Sequence, residues 1–369
     1  MQLPRVRPEH GAYRTTDGRI RLGSGVYGLA TEITDGPPWL WDLLTAADGT
    51  RTPQQIADAV STAHPGTAEE DVLRALDDLI QAGHMDDAAA WPPPDFTEAE
   101  QERHGRTVLY WRWTDPQPRA SAWDVQRILR SAKVVVVGVG GTGGAAAMAL
   151  AASGVGRLHL VDDDRVELSN LNRQTLFGES DIGRLKVDAA ASRIAQTNSD
   201  VTVTRQQMRI AGPSDFDAIL PGFDLLVMCA DHPTDIRQWA NAACLKSGMP
   251  WVDGGYHGPL VTVGAYAPHR SGGCGMCLRR TENERWQPDV ADGDDASKAL
   301  GKAPGHPVTA VTAGLSGQLA AHLAMALLTG AAPITPGSIY GINLVALGTD
   351  PVHLTGERYP DCPACAPAS

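Results

Sequence analysis

The stretch KVVVVGVGGTGGAAAMALAASGVGRLHLVDDD, Lys133 to Asp164, constrains the chain most. An apolar strand runs into a glycine turn, then a small-residue helix, a second strand and an acidic end. Gly138, Gly140 and Gly143 satisfy G-x-G-x-x-G between strand and helix. Gly140, with Gly141 beside it, lets the backbone approach a phosphate, and the helix N-terminus supplies free N–H groups and a positive dipole. Asp162 follows Gly138 by 24 residues and ends the second strand, where a carboxylate reaches a ribose hydroxyl. Taken alone, this fingerprint favours a nicotinamide cofactor over ATP. A tight turn without nucleotide is the bland alternative.

The next segment, VDDDRVELSNLNRQTLFGESDIGRLKVDAA, reverses that preference. Arg173 and Lys186 place two cations beyond the acidic cluster. They suit a triphosphate, where arginine gives forked contacts and lysine a point charge. Asn170 and Gln174 add neutral donors. Asp231 closes the apolar run LLVMCAD, a position from which a carboxylate can hold magnesium.

Around this segment, strand and helix patterns alternate. Strands are expected at RLHLVD, VTVTRQQ, FDLLVMCAD and PWVDGGYHGPLVTVGAYA, and helices at 142–153, 186–198 and 235–247. That order predicts an α/β fold with a doubly wound, mostly parallel, Rossmann-like sheet, its ligand at the carboxyl ends of the strands. TVLYWRWTD reads as an edge strand, with Trp111 and Trp113 as packing residues.

Residues 1–87 form a separate small domain: a hairpin turning at Gly23-Ser24-Gly25, then helices at 37–47, 53–63 and 68–82. Thr52 caps the second helix, with Pro53 in its first turn. Residues 88–102, with three consecutive prolines, read as a linker, and residues 103–369 as the nucleotide-binding domain.

Six cysteines include two Cys-x-x-Cys pairs, Cys274/Cys277 and Cys362/Cys365. The spacing favours a closed, structural four-thiolate zinc site over disulfides, with a redox dithiol as the rival reading. Cys229 and Cys244 sit in apolar segments and read as core residues, as does His322; His257 is a weaker candidate for substrate contact. A net charge of −12 argues against nucleic acid or an anionic membrane as partner. No signal-peptide core and no apolar run of bilayer length are evident, so a cytoplasmic location is expected.

The run GVGGTGG … LVDDDRVELSNLNRQTLF … GRLKVDAA … CAD, with the two Cys-x-x-Cys pairs, resembles the ubiquitin-activating-enzyme-like ThiF/MoeB adenylyltransferases. The resemblance covers Arg103 to the C-terminus. It implies a domain that binds Mg-ATP and adenylates a C-terminal carboxylate. Carried over, Asp162 and Asp164 hold the ribose, Asn170, Arg173 and Lys186 contact phosphates, and Asp231 binds magnesium. Arg106, in RHGRT, matches a family arginine that reaches the phosphates of a partner subunit, which implies a homodimer. His232 stands where the family has asparagine. The crossover segment from Thr281 to Val308 lacks the cysteine that ubiquitin-type enzymes use for acyl transfer, so direct attack on the adenylate is expected.

The hairpin and three helices, ending in VLRALDDLIQAGHMDD, resemble PqqD-like elements that bind leader peptides. The combined expectation is ATP-dependent adenylation of a carboxylate on a ribosomally synthesised precursor peptide. Two alternatives are a non-catalytic scaffold presenting peptide to a partner cyclodehydratase and the activation of a sulfur-carrier protein.

Overall fold

The structure is a computed structural model, and it describes every residue except 24–30, 92, 269, 271, 286–306 and 367–369. The chain divides into two compact units: residues 1–128 with 329–333, and residues 129–328 with 334–369.

In the first unit, β1 (Pro4–Val6) pairs antiparallel with β5 (Met85–Asp87). A separate antiparallel sheet has the order β2 (Ala12–Arg14), β3 (Ile20–Leu22), β4 (Thr31–Ile33). The turn expected at residues 23–25 lies largely outside the described residues. Helices α1 (Leu40–Ala46), α2 (Pro53–Ala63) and α3 (Glu69–Gln81) follow. Thr52 caps α2 through a reciprocal box with Gln55. Val72, Leu76 and Leu79 of α3 bury one face against Leu43, Ile56 and Val60.

Two expectations need correction here. The run TVLYWRWTD is helical and belongs to α4 (Glu98–Thr114). Its aromatic residues suggested a strand, but Thr97 and Glu100 form a capping box that starts a helix. His104, Val108 and Trp111 are then buried at helical spacing. The first unit also runs on through residues 88–102 to Ile128, where a linker and a new domain were expected. Arg7 explains the continuity: its buried guanidinium donates to the carbonyls of Met85, Arg112, Asp115 and Gln117. Glu9 adds two 2.6 Å bonds from Arg112.

The second unit follows α5 (Trp123–Ser131). Its sheet has the order β13-β12-β11-β10-β9-β6-β7-β8. The strands are β6 (Lys133–Val137), β7 (Arg157–Val161), β8 (Thr202–Gln206), β9 (Leu225–Met228), β10 (Trp251–His257), β11 (Leu260–Tyr266), β12 (Ser338–Asn343) and β13 (Val352–Thr355). Pairings from β10 through β8 are parallel, and β11, β12 and β13 extend the sheet antiparallel. Val134 to Val137 and Leu225 to Met228 are wholly buried, as central parallel strands require. The helices are α6 (Gly141–Ala152), α7 (Lys186–Thr197), α8 (Pro213–Ile219), α9 (Ile236–Ser247), α10 (Gly275–Arg285) and α11 (Ala310–Thr329).

Helix α11 corrects the statement that no segment has bilayer length: it has 20 residues, and an 18-residue stretch of it has a mean hydropathy of 1.4. Most of its length is nevertheless buried inside the protein, which is also how a core helix looks. Around β6 the connections reverse direction, β7 and β8 lying to one side and β9 and β10 to the other. That reversal opens a crevice at the strand ends.

Candidate active site

A cavity of about 550 Å³ occupies this crevice, lined by the segments after β6, β7 and β9 and by the end of β10. Of the residues singled out in the sequence, Gly138, Gly140, Gly141, Asp162, Asp164, Arg173, Gln174, Lys186 and Asp231 all line it. His232 and His257 do as well.

The glycines divide the work. Gly138 has φ +85°, and a Cβ there would lie 2.6 Å from the Ala230 nitrogen. A Cβ on Gly143 would lie 1.7 Å from the Gly138 carbonyl oxygen, so this residue seats α6 against the turn. Gly143 does not line the cavity. At Gly140 the nearest atom to an added Cβ is Gln174 Nε2 at 3.6 Å, so bare backbone faces the cavity there.

Asp162 is held from two sides: the Val139 N–H donates to Oδ2 at 2.6 Å and the Asp164 N–H to Oδ1 at 2.8 Å. Burial, more than any neighbour, raises its pKa above the usual carboxylate value. Lys186, almost buried in the first turn of α7, donates to Asp164 Oδ2 at 2.7 Å. Arg173 donates to the Ser169 carbonyl at 2.8 Å and to Asn172 Oδ1 at 3.1 Å. Gln174 Oε1 is buried without a hydrogen-bond partner among the described residues, an orphan in the cavity wall.

Asn170 does not line the cavity. Its Oδ1 accepts from the Glu167 N–H at 3.2 Å and its Nδ2 donates to Ser169 Oγ at 3.4 Å, so both ends brace the turn that carries Arg173. Arg106 lies on α4 of the first unit.

Sequence reasoning missed one pair. Arg237, in the first turn of α9, and Asp253, on β10, are joined at 2.7 Å from Nε to Oδ1, and Arg237 lines the cavity beside Gly254, Gly255 and Tyr256. Its signal was the placement of an arginine in the first turn of a helix, against the macrodipole.

Cys229 also lines the cavity and is only partly buried by surface area, a correction to its reading as a core residue. Desolvation still pushes its thiol up to about 12, and burial raises Cys244 too, so neither is a thiolate near neutrality. The pKa of His322 is lowered by burial, as suits a core histidine.

Cys274, Cys277, Cys362 and Cys365 converge, all buried, with their Sγ atoms within 4.8 Å of one another. Individual separations are 3.9 Å (Cys274–Cys277), 3.7 Å (Cys274–Cys362) and 3.5 Å (Cys277–Cys365). A tetrahedral four-thiolate zinc centre with Zn–S near 2.3 Å needs sulfurs about 3.8 Å apart. The donor set fits that ion, and no pair is bonded as a disulfide. Burial opposes ionisation of Cys362, but the N–H groups of Ala364 and Cys365 together with the Cys277 and Cys365 thiols outweigh it and bring its pKa down to about 7.

A glycine turn at a helix N-terminus, a buried lysine and an unpartnered amide at the switch point of a parallel sheet define a nucleotide-binding α/β protein. The ThiF family model matches residues 117–364, and the chain belongs to that family, as an ATP-dependent adenylyltransferase. The chain is 35% identical over 212 residues to the sulfur carrier protein ThiS adenylyltransferase of Escherichia coli, covering 57% of this chain and 77% of that protein. Among solved structures it resembles E. coli MccB with ATP, with a TM-score of 0.72 and 21% identity, covering 99% of this chain and 100% of that one. It also resembles the microcin C7 biosynthetic enzyme MccB in complex with N-formylated MccA (TM-score 0.69, 21% identity, covering 98% and 99%).

Proposed function

We propose that this adenylyltransferase binds a ribosomally synthesised precursor peptide through residues 1–87, acts in the cytoplasm as a homodimer, and uses Mg-ATP to adenylate a carboxylate of that peptide. One observation carries the reading. The family match leaves residues 1–116 unaccounted for, whereas the likeness to MccB, which has been solved with MccA, covers 99% of the chain. The small three-stranded sheet supports peptide capture, because among the described residues β2 and β4 each have one unpaired edge that an extended peptide can join.

In the reaction, a carboxylate oxygen forms a bond to the α-phosphorus of ATP. The bond from that phosphorus to its bridging oxygen breaks, and pyrophosphate leaves with the electron pair. No proton need move, because the attacking group is already ionised. Catalysis is therefore positioning plus neutralisation of charge. Gly140 and the α6 N-terminus receive phosphate, Lys186 and Arg173 offset its charge, and Asp162 holds the ribose. Arg106 is assigned to the phosphates of the opposite protomer.

Asp231 is suited to magnesium because it lines the cavity and no hydrogen bond or ion pair within the described residues engages its carboxylate. The ion would supply charge neutralisation at the α-phosphate as pyrophosphate departs. The four thiolates would hold zinc as a structural clamp.

The 35% identity to the ThiS adenylyltransferase favours a second reading, activation of a sulfur-carrier protein. Pyrophosphate release with Mg-ATP, compared between a precursor peptide encoded beside the gene and a sulfur-carrier protein, separates the two. Peptide-dependent release supports the first reading and carrier-dependent release the second. Tight peptide binding without release would mark a presenting scaffold.

A further inference from the structure

The glycine turn, Asp162, Lys186 and Asp231 account for a nucleotide, yet the cavity continues past them to the end of β10. There Arg237 is bonded through Nε alone to Asp253, and no hydrogen bond to either Nη atom is found within the described residues. Gly255 leaves the space beside the fork open, since an added Cβ would meet only Arg237 Nη2, at 3.5 Å. Asp253, first, and Asp231 hold the guanidinium above its already high pKa. The arginine also sits in the first turn of α9, where the helix dipole disfavours a cation. An arginine kept charged in an unfavourable place, with its forked edge turned to open space, is built for an anion.

Resting on the adenylation reading, we propose that Arg237 binds the peptide carboxylate that is to be activated, and that Asp253 is a positioning residue that fixes the plane of the guanidinium. The physical need is plain. A carboxylate must come within bonding distance of a polyanionic triphosphate, and a fixed cation on the far side of that carboxylate offsets the repulsion. The fork holds one carboxylate oxygen and leaves the other free to attack phosphorus.

The test uses the full-length protein with Mg-ATP and two degenerate decapeptide pools, one ending in free carboxylates and one in carboxamides. Pyrophosphate release is followed for wild type and for Arg237→Gln. Wild type is expected to release pyrophosphate with the free acids and not with the carboxamides, which carry no terminal carboxylate to attack phosphorus. Arg237→Gln should raise the KM for the free-acid pool about 10- to 100-fold, the worth of a charge-assisted bond, while its KM for ATP stays within about threefold. Arg237→Lys, which keeps the charge but not the fork, should reverse part of that rise.

If Arg237→Gln leaves the KM for the free acids unchanged, or raises the KM for ATP instead, the proposal falls and the adenylation reading stands. If wild type releases pyrophosphate with neither pool, the reading of a peptide carboxylate as substrate itself falls. Should Arg237→Gln not fold, Asp253→Asn carries the same test, because it keeps an acceptor for Nε and removes the charge. A raised KM for the free acids at constant KM for ATP in it supports the proposal, and an unchanged KM for the free acids overturns it.

Discussion

At the β7 end of the cavity the polar side chains are largely tied down before any ligand arrives. Asp162 accepts two backbone N–H groups, Lys186 is paired with Asp164, and Arg173 is held by the Ser169 carbonyl. At the β10 end the Arg237 fork keeps a free edge among the described residues, and Gly255 withholds a side chain that could fill the space. The first end is pre-organised for one invariant guest, a nucleotide. The second is shaped for something the chain must meet from outside. Pre-organisation favours rate, and an open charged edge favours selection.

The largest effect that could break this contrast is at the nucleotide end. Lys186→Ala and Asp231→Ala should each lower peptide-dependent pyrophosphate release roughly a thousandfold, since the first removes a fixed cation from the phosphates and the second the carboxylate that would hold magnesium. Peptide affinity, read by isothermal titration without ATP, should change little. A large loss of peptide affinity would mean that the two ends are not separable.

Next in size is the glycine pair. Gly143→Ala forces a Cβ into the Gly138 carbonyl and should cost about 3 kcal/mol or more of stability, visible as a lower Tm or as failure to fold. Gly140→Ala makes only an ordinary contact with Gln174, so the Tm should hold while ATP affinity falls about tenfold or more. If both variants behave alike, the division between a packing glycine and a phosphate glycine is wrong.

The thiolate cluster sharpens the comparison from the other side. Cys274 follows β11 and Cys362 follows β13, so the cluster pins the antiparallel strands, which join the open end through the pairing of β11 with β10. Removing metal with a strong chelator should lower the Tm and speed amide exchange over residues 260–285 and 338–366. The KM for peptide should rise more than the KM for ATP. Equal changes in both would show that the cluster supports the whole domain instead.

Legibility followed the same divide. The glycine turn, the acidic strand end and the two Cys-x-x-Cys pairs are local patterns whose spacing carries a mechanism, and all reach the places their spacing implied. Arg237 and Asp253 are 16 residues apart and meet only because β10 lies beside β9 in the sheet, a long-range fact no local pattern states. The reach of the first unit to Ile128 was hidden for a similar reason: Arg7 binds carbonyls more than a hundred residues away in sequence. TVLYWRWTD misled differently, because β-favouring aromatics obscured a capping box ten residues before them.

The smallest predicted effect concerns Asn170. If its side chain met a phosphate, Asn170→Ala would raise the KM for ATP about tenfold, the worth of a charge-assisted bond. The structure turns it instead toward the Glu167 N–H and Ser169 Oγ, inside the turn that holds Arg173. The substitution should therefore cost about 1 kcal/mol of stability, a typical value for a lost local hydrogen bond. Its KM for ATP should rise by only about threefold or less, through slack in Arg173. Combining Asn170→Ala with Arg173→Ala decides the matter. If Asn170 acts through Arg173, the double variant binds ATP as poorly as Arg173→Ala alone; independent phosphate contacts would multiply the two losses.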